Sequence, residues 1–255
     1  IDSGKTLVRE GAAGESTVRF IEADVRDQNA VELSLANQDF VIHLAAETGV
    51  IPSIENPERD ASVNIIGTLN LLNGAVRKRV KRFIFASSAA PLGDQSPPLD
   101  EGKMPNPMSP YGASKLAGEG YCSAFYHSYG LETTVLRFSN VYGPYSMKKG
   151  SVVATFIRRM LDKKPLIVYG DGHQTRDYLY VDDIAAAMER VLLAQDTGNS
   201  LFQLGTERET SVNDLIELLR QVSREEFKVQ YLPRREGEII NNFTSIAKIR
   251  KILDY

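Results

Sequence analysis

The sequence is poor in the residues that build disulfide frameworks and zinc sites. Its 255 residues include one cysteine (Cys122), three histidines and no tryptophan. A single cysteine excludes an internal disulfide and is compatible with a reducing compartment, so we expect a cytoplasmic protein. So few thiol and imidazole ligands also predict that the chain holds no zinc or other metal site.

Long apolar runs and a strong net charge are also missing. No stretch reaches the roughly 18 residues of a membrane span, and no signal-peptide pattern opens the chain. A net charge of −3 offers no general attraction to nucleic acid or acidic membranes. The basic cluster VRKRVKR at 76–82 has two interpretations, a nucleic-acid signal or the cationic end of a helix. We favour the helix end, because an apolar-periodic stretch precedes it and a strand-like FIFA follows.

A third absence is the glycine-rich loop with which a dinucleotide-binding fold normally opens. That loop follows a hydrophobic strand, and its backbone amides and helix N-terminus hold a pyrophosphate. The only candidate is GAAGES at 11–16, which no hydrophobic strand precedes. We therefore interpret it as an ordinary loop.

What the chain does have, over its first 145 residues, is an alternation of short apolar strands with helical patterns. Strand patterns lie at 18–24, 39–46, 82–88 and 133–139, and helical patterns at 28–36, at 60–79 and from Tyr111 onward. This alternation is typical of βαβ units and predicts an α/β fold with a doubly wound parallel sheet. Ligands bind such sheets beyond the carboxyl ends of the strands, which places HLAAETG, SSAAPLG and SNVYGP along one rim.

The alternation becomes irregular beyond about residue 145. Helical patterns lie at 152–162, 211–222 and 246–253, with the strand-like LFQLG and KVQYLP among them. We predict a Rossmann-like domain over 1–145, to which later segments return, and a smaller mixed α/β substrate lobe over 146–255.

The stretch SPYGASK at 109–115 places Tyr111 and Lys115 four residues apart, just after a proline. Proline is common at a helix start, and residues four apart share a helix face, so the two side chains should lie together. By itself the stretch is either a catalytic pair or only the first turn of a helix.

Ordered motifs along the chain decide between these readings. They are ADVRD, HLAAETGV, N..GT.NLL, RFIFASS, SPYGASK, LRFSNVYGP, YGDGHQTRDYLYVDD and RREGE. In this order they resemble the extended short-chain dehydrogenase/reductases that act as nucleotide-sugar epimerases and dehydratases, particularly the UDP-glucose 4-epimerases. The likeness runs from about Val18 to the C-terminus. It implies NAD as cofactor, a UDP-sugar substrate and a homodimer formed through a four-helix bundle of 60–79 and 111–130.

The resemblance also implies that the strand–helix–strand unit with the glycine loop is missing from this sequence. We accordingly expect residues 1–255 alone to bind NAD poorly.

Three residues match the catalytic positions of that family. Tyr111 matches the acid/base and Lys115 the cation one helical turn later, which also bonds the nicotinamide ribose. Ser88 matches the residue that hydrogen-bonds the sugar C4 oxygen, its alternative role being to cap the strand end. A free tyrosine has a pKa near 10, so we expect the Lys115 ammonium and the positive nicotinamide ring to lower the pKa of Tyr111.

The residues after Ser88 bear on the reaction. Dehydratases of the family carry Asp-Glu there, and UDP-glucuronate decarboxylases typically carry a glutamate. Here the two positions are Ala89 and Ala90. Methyl groups exchange no protons, so elimination of water lacks its acid and base, whereas oxidation and re-reduction at C4 do not need them.

The same resemblance assigns the ligand-binding positions. Those assigned to NAD are Asp24 and Val25 at the adenine, Leu44, Ala45 and Ala46 at the nicotinamide side, and Asn64. Those assigned to the UDP-sugar are Asn140, Arg176 and Arg235 at the phosphates, Tyr169 at the uracil and Asn242 at the sugar C2 substituent. Arg234 is an alternative to Arg235, and Asn241 to Asn242.

Two other functions stay open at this point. A nucleotide-sugar 4-ketoreductase or another sugar epimerase shares Ser88, Tyr111 and Lys115, but a reductase consumes reduced cofactor. A non-catalytic sensor on the same fold usually lacks the tyrosine or the lysine, and this chain has both.

Overall fold

The computed structural model of the protein describes residues 19–234 and 239–255. Its strands, in chain order, are β1 (Phe40–His43), β2 (Arg82–Ser88), β3 (Glu132–Phe138), β4 (Asn140–Tyr142), β5 (Leu166–Tyr169), β6 (Thr175–Arg176), β7 (Tyr178–Tyr180), β8 (Ser200–Leu204), β9 (Thr210–Ser211) and β10 (Val229–Leu232). Its α-helices are α1 (Gln28–Ser34), α2 (Val50–Glu55), α3 (Pro57–Ala61), α4 (Gly67–Lys78), α5 (Pro110–Tyr129), α6 (Val152–Leu161), α7 (Val181–Leu193), α8 (Val212–Ser223) and α9 (Ala247–Leu253).

The central sheet has four parallel strands in the order β1-β2-β3-β8. This confirms the parallel α/β sheet that the sequence predicts. Strand β8 comes from the second half of the chain and lies beside β3.

Apolar clusters lie on both faces of the sheet, and β2 contributes to both since its successive side chains point to opposite faces. Phe83 and Phe85 belong to an apolar cluster with Leu72 of α4 and Phe125 of α5. Ile84, between them, belongs to the opposite cluster with residues of α7 and α9. Fully burying each such side chain contributes about 1.5–3 kcal/mol.

Helix α5 begins and ends where its sequence predicts. The Ser109 side chain accepts a hydrogen bond from the Gly112 amide at 3.1 Å, and Pro110 occupies the first helical position. Gly130 ends the helix in the left-handed region, with φ of 69°.

The predicted helix over 60–79 is divided into three parts. Helix α3 is followed by a π-helical turn, Ser62–Ile66, and then by α4. Arg77 and Lys78 lie in the last turn of α4, which agrees with reading the basic cluster as a helix end.

The strand predicted over 18–24 is wrong for its described residues, because 19–24 contain no strand. A strand persists only as part of a hydrogen-bonded ladder, and no described strand lies beside this segment. Val18 and the GAAGES stretch lie outside the described residues.

The second half of the chain builds its own small core. Strand β10 pairs in parallel with β5, and helices α6 and α8 cover them with Phe156, Leu215 and Ile216. In 19–234 and 239–255, no helix has the length and apolar character to cross a bilayer.

Candidate active site

The three predicted catalytic residues meet where strand β2 faces the start of α5. Ser88 is the last residue of β2, and Tyr111 and Lys115 lie in the first two turns of α5. A hydrogen bond joins Tyr111 to Ser88, and the Lys115 Nζ lies 5.9 Å from the centre of the Tyr111 ring. We call Ser88, Tyr111 and Lys115 with their supporting elements β2 and α5 the catalytic junction.

Two glycines let α5 approach β2 so closely. A Cβ on Gly118 would stand 2.3 Å from the ring of Phe85, and one on Gly112 would stand 2.7 Å from the carbonyl oxygen of Ala90. Real side chains do not tolerate such distances, so larger residues would push the helix away from the strand.

Lys115 is buried, with 4% of its surface exposed. Its ammonium donates to the carbonyl of Ala86 at 2.8 Å and lies 5.0 Å from the centre of the Phe85 ring. Burial lowers the pKa of Lys115 to about 8, while the negative charges of Asp60 and Glu119 oppose that shift. An ammonium can donate three hydrogen bonds, and Ala86 uses one of them.

The protein around Tyr111 raises its pKa, whereas the sequence analysis expects Lys115 and the bound nicotinamide ring to lower it. Burial raises it, the hydrogen bond with Ser88 lowers it, and the nearby charge of Asp60 raises it again. Desolvation of the phenolate is the largest of these effects, so the protein around Tyr111 favours its neutral form.

Ser88 lies just before a short 3-10 turn, Ala90–Leu92. Its hydroxyl oxygen accepts the amide N–H of Ala90 at 3.2 Å, and the amide of Ala89 donates to the Phe138 carbonyl at 3.2 Å. The hydroxyl thus keeps its own proton available as a donor, and the strand-capping role and the catalytic role are compatible.

The predicted adenine side is built around Asp24 and Val25. Asp24 accepts hydrogen bonds from the backbone N–H and guanidinium of Arg26, the backbone one at 2.8 Å, which lowers the pKa of Asp24 to about 2. Asn70 of α4 donates to the carbonyls of Val25 and Arg26, both at 3.1 Å. The segment is held in place while the Asp24 carboxylate stays ionised and half exposed.

Asn64 holds the loop that follows β1. Its side-chain oxygen accepts the Glu47 amide at 2.9 Å, and its amide group donates to the Glu47 carbonyl, Asp60 and Ser114. These bonds use the amide hydrogens and one of the two acceptor sites of the oxygen, so Asn64 orients the loop, and its contact with the cofactor stays a prediction. Leu44 is exposed and Ala45 and Ala46 are half-buried at the start of that loop.

These positions fit NAD at both ends. Small alanines at the carboxyl end of β1 leave room for a flat ring, and the remaining Lys115 hydrogens suit the hydroxyls of a ribose. The ionised Asp24 suits an amino-group donor.

Segments that carry the predicted phosphate and sugar residues Asn140, Arg176 and Asn242 meet at one buried residue, Asp177. Its backbone carbonyl accepts the amide of Asn140 at 2.9 Å, and its carboxylate accepts the amides of Thr206 at 2.8 Å and Thr244 at 3.2 Å. Arg176 precedes it and donates to the carbonyl of Thr175 at 2.6 Å. We call the segments brought together here, 140–142, 175–177 and 239–244, the substrate wall.

The structure distinguishes Asn242 from its neighbour. Asn242 is buried and its Oδ1 has no protein partner within the described segments, whereas Asn241 is exposed. Tyr169 lies half-buried at the end of β5, where its carbonyl accepts from Gln174 at 2.8 Å. Arg235 lies outside the described residues.

Sequence reasoning missed the buried polar residues behind these positions: Asp60, Ser114, Glu119, Arg137 and Asp177. Two signals were present in the sequence. Glu119 continues the four-residue spacing of Tyr111 and Lys115, and Arg137 interrupts the apolar strand TTVLRF. A charge in a buried strand needs a partner, so the pair was predictable in principle.

Comparison with known proteins identifies the family of the chain. The model of the NAD dependent epimerase/dehydratase family matches residues 2–205. A putative UDP-glucose 4-epimerase of Methanocaldococcus jannaschii is 38% identical over 238 residues, which cover 91% of this chain and 77% of that protein.

Two solved structures have the same fold. The UDP-glucose 4-epimerase of Thermotoga maritima with UDP-glucose is 37% identical, with a TM-score of 0.88 over 93% of this chain and 78% of that one. The UDP-glucose 4-epimerase of Thermus thermophilus in complex with NAD is 33% identical, with a TM-score of 0.85 over 92% and 78%. The chain therefore belongs to the NAD-dependent epimerase/dehydratase family, and the cofactor predicted from its sequence is the cofactor of that family.

Proposed function

We propose that the protein epimerises a UDP-hexose or a UDP-N-acetylhexosamine at C4, through a transient 4-keto sugar. The observation that carries the proposal is the catalytic junction, in which Ser88, Tyr111 and Lys115 are assembled next to two alanines. The named relatives that act on UDP-glucose support the choice of nucleotide.

The chain's own residues have the following roles. As the phenolate, which the positive charge of a bound nicotinamide ring and the Lys115 ammonium would favour, Tyr111 Oη takes the proton of the sugar O4 hydroxyl as C4 is oxidised and returns it when the ketone is reduced. Ser88 Oγ–H donates to the same oxygen, and the Lys115 ammonium stabilises the negative charge that develops on the phenol oxygen. When bound, NAD supplies the oxidation and the re-reduction at C4. Inversion follows if the 4-keto sugar turns its other face to the cofactor before reduction.

Ala89 and Ala90 argue against dehydration. Ala90 opens the 3-10 turn directly after Ser88, and neither residue has a group that could remove the C5 proton or protonate the leaving C6 hydroxyl. Pro91 and Leu92, which complete the turn, are buried, so packing fixes the turn that follows Ser88.

We further propose that the substrate wall accepts N-acetylated sugars. Asn242 is much smaller than tyrosine, and its buried Oδ1 or Nδ2 suits the acetamido group at C2. Asn140, Arg176, Arg235 and Tyr169 keep their predicted roles at the diphosphate and uracil. The homodimer through α4 and α5 also stays a prediction.

Product analysis tests the proposed reaction. The purified protein is incubated with UDP-glucose, UDP-galactose and their N-acetyl forms, with NAD added and without NADH or NADPH. We expect C4 epimers of unchanged mass. A product lighter by one water would establish dehydration, and turnover only with added reduced cofactor would establish a ketoreductase. Binding of both NAD and the UDP-sugar without turnover would establish a sensor.

A further inference from the structure

Behind the catalytic junction lies a buried cluster of three polar side chains that the proposed reaction does not use. Glu119 of α5 and Arg137 of β3 form a two-pronged ion pair, with contacts of 2.7 and 2.6 Å. Ser87 of β2 donates to the same Glu119 carboxylate at 2.5 Å. All three are buried, with 3–7% of their surface exposed.

The cluster continues a ladder between α5 and β2. Tyr111, Lys115 and Glu119 follow one another at four-residue spacing on one face of the helix. Their partners are Ser88, the carbonyl of Ala86 and Ser87, all at the carboxyl end of β2. Each of three successive helical turns is thus joined to the strand that carries Ser88.

Stability alone does not account for a buried ion pair in this place. Removing two charges from water costs several kcal/mol per ion, and well-packed apolar pairs are often as stable or more so. Arg137 Nη1 also has no acceptor among the described residues. What the pair supplies is a directional contact, because a bidentate Arg–carboxylate geometry permits one orientation of the helix over the strand.

We propose that Glu119, held by Arg137 and Ser87, is a positioning residue that fixes Lys115 and Tyr111 relative to Ser88. The proposal rests on the proposed function for its kinetic readout. Errors of about 1 Å in such an arrangement reduce rates by up to about 100-fold while binding is retained.

The charge of Glu119 has a second consequence, at Lys115. The groups that face the Lys115 ammonium are Asp60 from α3, Glu119 and Cys122 from α5, His43 from β1 and the Tyr111 ring. Among them Asp60 and Glu119 raise the pKa of Lys115 against the effect of burial. Removing the charge of Glu119 therefore lowers the pKa of Lys115.

The first experiment compares two variants that each remove one buried hydroxyl between the sheet and α5. Ser87→Ala breaks the bond to Glu119, and Thr133→Val breaks the 2.9 Å bond from Thr133 to the Cys122 carbonyl, away from Ser88. We expect Ser87→Ala to lower kcat about tenfold with KM unchanged, and Thr133→Val to leave both constants unchanged at a similar loss of stability. A kcat of Ser87→Ala within about threefold of that of Thr133→Val overturns the proposal.

The second experiment does not depend on turnover. The Lys115 ammonium is titrated by ¹⁵N NMR in the wild type and in Glu119→Gln, which keeps the size of the side chain. We expect the pKa of Lys115 to start near about 8 and to fall in the variant. An unchanged pKa overturns the electrostatic part of the proposal.

The two experiments separate this inference from the proposed function. If the wild type epimerises no UDP-sugar, the proposed function fails, and the NMR titration still decides whether Glu119 acts on Lys115. If Glu119→Gln does not fold, the kinetic comparison of Ser87→Ala with Thr133→Val decides.

Discussion

The catalytic junction and the substrate wall are built in different ways. The junction consists of one buried strand and one 20-residue helix, joined along three turns and brought close by Gly112 and Gly118. The wall consists of short segments from distant parts of the chain, which meet at the buried Asp177. Its strands β4 and β6 have three and two residues.

The difference indicates that the two regions have different roles in the protein. Groups on long, packed elements are held accurately enough for proton transfer, and groups on short segments are easily altered without disturbing the core. We therefore expect changes at the junction to lower kcat and changes at the wall to alter KM or substrate preference.

Tyr111→Phe should have the largest effect and is the strongest test of the junction. The variant keeps the ring but loses the proton-transferring oxygen, so we expect kcat to fall on the order of 10³-fold with KM within a few-fold. Steady-state kinetics with UDP-galactose measures both constants. Tyr129→Phe, at the exposed end of the same helix, is the control. A Tyr111→Phe enzyme with wild-type kcat would refute the assignment.

Ser88→Ala should have a smaller effect of the same kind. It removes one hydrogen bond to the reacting oxygen, and we expect kcat to fall on the order of 10²-fold. The same assay applies. A change confined to KM would move Ser88 from catalysis to simple binding and would weaken the contrast between the two regions.

Asn242→Tyr tests the wall. We expect kcat/KM for UDP-GlcNAc to fall about tenfold or more by steric exclusion, and that for UDP-galactose to stay within a few-fold. Asn241→Tyr, at the exposed neighbour, should leave both substrates unaffected. Equal losses on both substrates, or none, would show that Asn242 does not face the sugar.

We expect the buried His43 to make the fold less stable at acid pH. His43 is buried between Phe83 and Phe85, accepts or donates a 2.9 Å hydrogen bond with Thr68, and has its pKa lowered by burial to about 3. Between pH 6.5, the ordinary pKa of histidine, and about pH 3, the unfolded chain binds a proton that the folded chain does not bind. The free energy of unfolding therefore falls as the pH falls through this range.

Urea unfolding at pH 7 and pH 5 measures this effect. We expect the wild type to lose about 2 kcal/mol more than His43→Gln over that interval, since one pKa unit corresponds to about 1.4 kcal/mol. Parallel losses in the two proteins would show that His43 does not titrate in this window.

Prediction from sequence succeeded where local signals and periodicity agree. The strand predicted at 82–88 is β2, and α5 begins at Pro110, as the proline before Tyr111 predicts. These features depend on residues that are close together in the sequence, so one sequence is enough to predict them.

The features that could not be predicted depend on contacts between distant segments. Asp177 and Thr244 are 67 residues apart and Ser87 and Glu119 are 32 apart, so neither hydrogen bond has a local signal. The upward shift that the chain itself gives to the pKa of Tyr111 has no local signal either, because burial by surrounding elements is its largest cause. The interruption of the 60–79 helix by a π-helical turn is likewise tied to Asn64, which bonds Glu47 and Ser114 across the fold.

The most direct test of epimerisation at C4 follows an isotope. UDP-glucose carrying deuterium at C4 is incubated with the purified protein and NAD, without NADH or NADPH, and the product is examined by NMR and mass spectrometry. We predict UDP-galactose that retains the deuterium at C4, because oxidation and re-reduction occur at the same carbon within one binding event. UDP-galactose that has lost the deuterium, or a 4-keto-6-deoxy sugar, would contradict the account.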